Sequence, residues 1–104
     1  MGLFDEDGPE DEVAALRFVR SYLALAIQIG APAYNGGDHR GCYEVYACTA
    51  RLLLRAVKGA EPARDQLKDA LERCAIVPDV NEAAWIMRRA FDSNLDEAQD
   101  NGGP

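Results

Sequence analysis

The chain has 104 residues, 48% of them hydrophobic, which is enough for one domain with one core and too little for two. Its formal charge of −7 is concentrated in two acidic ends, which argue against general nucleic-acid binding, since they repel phosphate or compete for basic groups. Its three cysteines, Cys42, Cys48 and Cys74, are odd in number and lack a CxxC spacing, so reduced thiols in a cytoplasmic compartment are expected in place of a disulfide framework.

The first ten residues open the chain with acid where a signal peptide needs basic and then apolar residues. Met1-Gly2 suits myristoylation, but Glu6 stands where that signal needs Ser or Thr. Residues 1–12 carry Asp5, Glu6, Asp7, Glu10, Asp11 and Glu12 without a base, and residues 92–104 carry Asp92, Asp96, Glu97 and Asp100 without one. All eleven Lys and Arg therefore lie in 13–91, where they exceed the acids by three. Residues 1–10 and 96–104 read as acidic disordered ends flanking a helical domain over 11–95.

The spacing predicts a first helix over 12–29. Val13, Leu16, Val19 or Arg20, Leu23 and Ile27 form one stripe, and Ala15, Phe18, Tyr22, Leu25 and Ile29 a second. Two stripes imply a helix buried over most of its circumference. Gly30 and Pro32 are a stop signal, because proline disfavours helical geometry in the residue before it. The uncharged run beginning at Ser21 holds Gln28, Gly30, Pro32, Gly36 and Gly37, too broken to span a bilayer.

Asn35-Gly36-Gly37 turns the chain and Asp38 is placed as an N-cap. The second helix, 39–58, turns Cys42, Val45, Tyr46, Thr49, Leu52, Leu53 and Ala56 inward. Arg40, Glu44, Arg51, Arg55 and Lys58 face outward. Pro62 suits the first turn of a third helix, 62–74, with Leu67, Ala70, Leu71 and Cys74 inward. Asp79 and Glu82 have capping-box spacing ahead of a fourth helix over 80–95, which offers Val80, Ala83, Ala84, Trp85 or Met87, Ala90 and Phe91 for packing. The fold class is all-α: four helices in two antiparallel hairpins.

Residues 30–54 resemble one tetratricopeptide repeat. Gly30 is the small residue on the first helix, Gly37-Asp38 the turn, Cys42 the small inward position and Tyr46 the large aromatic, with Tyr34-Asn35 ahead of the turn. Pro32 departs from the pattern, and residues 62–95 lack the glycine and aromatic signature. The resemblance implies protein–protein binding through a groove.

Asp38, His39 and Cys42 are the one cluster with ligand chemistry. His39 and Cys42 lie three apart on the first turn of a helix, and zinc or haem accepts imidazole and thiolate. A structural zinc site needs four ligands and the chain has a single histidine. Cys42 at a helix N-terminus, with His39 as base, could serve as a nucleophile, but no oxyanion hole or orienting group is readable. No cofactor and no catalytic residue are expected.

The reading is a non-catalytic cytoplasmic module that binds a protein partner or a second copy of itself, and neither nucleic acid nor membrane. Its recognition residues are Tyr34, Asn35, His39 and Tyr43 around the turn, and Arg51, Arg55 and Lys58 on the outward face. The alternative is a small metal- or haem-binding, redox-sensing protein using His39 and Cys42.

Overall fold

The computed structural model describes the backbone of residues 9–99 and the side chains of residues 12–95. The described chain is all helix and connection: α1 (Pro9–Asn35), α2 (His39–Ala56), α3 (Glu61–Cys74) and α4 (Val80–Gln99). Residues 9–10 and 96–99 are helical, so both end helices reach into segments expected to lack structure. The expectation for residues 1–8 and 100–104 lies outside the described residues.

The α1 and α2 helices form one hairpin and α3 and α4 the other, with α4 packed against both α2 and α3 and touching α1. The core between them is Val19, Leu23, Tyr46, Leu53, Leu67, Met87 and Phe91, interleaved with small residues such as Ala15, Ala26, Ala50 and Ala63. Small residues let helix axes approach, and the aromatic rings fill what remains. Tyr46 meets Phe91 with ring centroids 5.0 Å apart.

The first helix does not stop at Ile29. It runs through Pro32 for one more turn, because Pro32 is exposed and the carbonyl it leaves unpaired can meet water, while Ala33 and Tyr34 pack onto the core. Local proline chemistry loses to tertiary burial here. The helix ends instead on Gly37, whose φ of +99° is cheap only for glycine. Asp38 N–H donates to Ala33 O (2.8 Å) and Gly37 N–H to Tyr34 O (2.9 Å), the paired bonds that close a helix on a left-handed residue. The Asp38 carboxylate then accepts from Gly41 N–H at 2.9 Å and caps α2. One residue thus ends α1 and starts α2. A side chain on Gly41 would collide with that carboxylate.

The second corner is held from a distance. Ala60, at φ +52° and without a side-chain cap of its own, starts α3. Its N–H donates to the Glu12 carboxylate of α1 at 2.6 Å, so an acid 48 positions away does the work of a capping-box glutamate.

Several inward positions differ from the periodic reading. On α1 only the stripe Ala15, Val19, Leu23, Ala26 and Gly30 is buried, whereas Tyr22, Leu25 and Ile29 are exposed. On α2, Ala47 and Ala50 are buried while Leu52 and Ala56 are exposed. On α4, Met87 fills the core and Trp85 faces outward. Apolar spacing marks which faces are apolar; the neighbours decide which are covered.

Candidate functional site: an aromatic pocket beside the α1–α2 corner

The corner brings the end of α1 and the start of α2 against the N-terminal half of α4. Tyr34 is the hub. Its ring stacks on His39 with centroids 4.2 Å apart and meets Trp85 edge-on at 5.6 Å. Its hydroxyl accepts from Trp85 Nε1 at 2.8 Å and donates to Asn81 Oδ1. A single tyrosine therefore ties three helices together at the surface.

Beside this cluster lies a cavity of about 250 Å³. Ala31, Tyr34 and Asn35 of α1 line one side, Ala84 and Trp85 of α4 another, and Cys42, Tyr46 and Arg88 also border it. The Cys42 thiol and the Arg88 guanidinium both lie in hydrogen-bonding reach of the Tyr46 hydroxyl. Burial pushes the Cys42 thiol up, partly offset by its bond to Tyr46, so it is a neutral thiol at neutral pH. Burial, reinforced by Cys42, pushes the Tyr46 phenol up to about 12. Burial works against the Arg88 charge, but Asp92 and Tyr46 outweigh it and the guanidinium is held above its ordinary value. Arg88 Nε donates to Asp92 Oδ1 at 3.0 Å.

The residues singled out by sequence do not form one site. Tyr34 and Asn35 border the cavity and His39 stacks at its edge, while Tyr43 is half-buried against the core. Arg51 and Arg55 are exposed farther along α2, where sixteen residues of helix separate Arg55 from His39 by about 24 Å, and Lys58 is exposed beyond the helix, which ends at Ala56 and not at 58. Arg40 and Glu44 pair at 4.0 Å, both well exposed, a contact of little energetic weight.

The Asp38, His39 and Cys42 alternative does not assemble into a ligand set. Asp38 caps α2, His39 lies on Tyr34, and Cys42 is 2% exposed beside Tyr46. Among the described residues no group of three or more His, Cys, Asp and Glu side chains is placed to hold a metal ion.

Sequence reasoning missed the α4 contribution. Asn81, Trp85 and Arg88 are spaced four and three apart, one face of a helix, and that spacing is a readable signal. What sequence could not supply is that this face meets Tyr34. No protein-family model, no curated protein and no solved structure matches this chain.

Proposed function

We propose that this chain is a non-catalytic interaction module that docks through the outer face of α1, with a second copy of itself as the occupant. The observation that carries this reading is the exposure of Tyr22, Leu25 and Ile29, at 38%, 48% and 53%, each next in the chain to a residue of the buried stripe. Phe18 continues the face, its ring 4.7 Å from that of Tyr22. Residues 21–37 carry no charged side chain, whereas the solvent face of a soluble helix is ordinarily charged. An uncharged face can meet its own copy without burying an unpaired ion. Cys42, the candidate nucleophile of the sequence, is buried as a neutral thiol, which favours a packing role for it.

Sedimentation of the full chain from about 10 μM to about 1 mM, the range in which weak association is read, tests this. The wild type should gain mass with concentration, and Leu25→Glu and Ile29→Glu should stay monomeric with unchanged helicity. A wild type that stays monomeric throughout overturns the reading. The stretch Glu12–Asn35 also has the length and mean hydropathy, 1.3, to cross a membrane, although α1 packs on α2. Flotation with phosphatidylcholine vesicles in the absence of self-association would assign the face to lipid instead.

A further inference from the structure

The cavity beside the corner has a chemistry the interaction reading does not use. Its border combines one cation, Arg88, with the Tyr46 hydroxyl, a neutral thiol, and the apolar surfaces of Ala31, Ala84 and Trp85. No acid borders it. Arg88 gives Nε to Asp92 and reaches the Tyr46 hydroxyl, and a guanidinium has five N–H groups, so donors remain for another acceptor. The Tyr46 phenol keeps its proton at neutral pH and can donate it. Two donor groups, one charged, thus converge beside an apolar wall, and planar paired N–H groups of arginine match a carboxylate. At about 250 Å³ the space falls just under the roughly 300–1,000 Å³ of ordinary ligand pockets, so its occupant is one ring or a short branched chain.

We infer that this pocket binds a small organic carboxylate with an apolar body, the carboxylate on Arg88 and Tyr46 and the body against Ala31, Ala84 and the Trp85 ring. A single guanidinium already shared with Asp92 suits a monoanion; a phosphate dianion would call for more positive charge than the border holds. The carboxylate belongs either to a free acid or to the end of a peptide, and the chemistry is the same.

Trp85 is the only tryptophan in the chain and borders the pocket, so its fluorescence reads occupancy directly. The full chain is titrated with phenylacetate and 4-methylpentanoate, with phenylacetamide as the neutral match and inorganic phosphate as the alternative anion. A tripeptide ending in phenylalanine, with and without C-terminal amidation, separates a peptide source from a free acid. At least one carboxylate should give a saturable change with Kd at or below about 1 mM, a modest affinity for so few atoms. The amides and phosphate should bind at least about tenfold more weakly, the size of a lost charge-assisted hydrogen bond. Arg88→Gln should lose the same factor. Ala31→Leu, which fills the pocket and leaves Arg88 in place, should abolish the response and keeps the test valid if Arg88→Gln fails to fold. Silence from every carboxylate up to about 10 mM, equal binding of acid and amide, phosphate binding as tight as the carboxylates, or full binding by Ala31→Leu each overturns the inference.

Discussion

Gly30→Ala isolates one packing contact against a known opposing effect. In a helix interior the change from glycine to alanine is worth about 0.5–1 kcal/mol in favour of folding, through lower backbone entropy in the unfolded chain. Here a Cβ on residue 30 would stand 2.6 Å from Tyr46 Cε1 and 3.0 Å from Cζ. Ordinary carbon contacts are about 3.5–4.0 Å, so the ring must retreat by about 1 Å. It has no room to do so: Tyr46 is 1% exposed and Phe91 backs it at 5.0 Å. Overpacking of that kind costs about 1–3 kcal/mol, which exceeds the propensity gain. The expected result is a net loss of about 1 kcal/mol, a fall in Tm of roughly 4–8 °C for a domain near this size. Gly30→Leu should lose more. Denaturant unfolding of the single mutant and of its pair with Tyr46→Leu measures the coupling, which should be nonzero and relieved in the pair. A Gly30→Ala protein more stable than wild type by the propensity amount would refute the contact.

The thiols should sort by burial: Cys48 reacts at once with a thiol reagent in the native state, and Cys42 and Cys74 only at the rate of opening, since burial shields them and raises both pKa values. Rapid native labelling of Cys42 would contradict its place beside Tyr46. Tyr46 sets an alkaline limit. Its pKa rises from 10.0 unfolded to about 12 folded, so its contribution is intact below pH 10.0 and is lost as pH climbs towards 12, at up to about 1.4 kcal/mol per pH unit. Tyr46→Phe should shallow the alkaline loss of stability in that window; an unchanged slope counts against the shift. At the corner, Gly37→Ala should cost about 1 kcal/mol for its positive φ while Gly36→Ala costs little, and equal effects by thermal melting would contradict the closure described.

The features legible in sequence were those set by short-range chemistry. Asp38 as a cap and Gly37 as a turn follow from side-chain reach and backbone freedom, and both stand in the structure. The approach of Gly30 to Tyr46 was legible as a pattern, a hydrogen placed where an aromatic must fit. The misreadings came where a distant neighbour decides. Pro32 stays helical because Ala33 and Tyr34 have a core to reach. Glu12, counted among the acids of the N-terminal segment, caps a helix 48 residues on. Trp85 looks apolar and so like core, yet its indole N–H is spent on Tyr34 at the surface while the more adaptable Met87 fills the interior. The pocket needed three helices at once, and no periodicity in one of them announces the other two.

Magnitudes decide how strongly the α1 face can associate and which variable exposes it. Fully burying a leucine or isoleucine is worth about 1.5–3 kcal/mol, so covering three side chains that are already about half buried yields about 1 kcal/mol each, or roughly 6 kcal/mol for a symmetric pair. Association itself costs an estimated 4–15 kcal/mol, so this face alone supports a weak dimer and not an obligate one. Electrostatics can tilt so small a balance. Each copy carries −7, which repels at long range, while the exposed Arg51, Arg55 and Lys58 could attract the acid that residues 1–12 and 92–104 concentrate. Salt weakens both effects but leaves apolar burial untouched, as the screening length falls from about 30 Å at 0.01 M to about 3 Å at 1 M. If the apolar face carries the contact, removing the net repulsion must strengthen the dimer as salt rises, and Leu25→Glu must abolish it at every salt concentration. If basic side chains gripping acidic segments carry it, salt must dissolve the dimer, and Arg51→Glu will matter where Leu25→Glu does not. Sedimentation at a fixed protein concentration across that salt range should show the first pattern; dissociation with salt would move the docking surface from α1 to the basic side of α2.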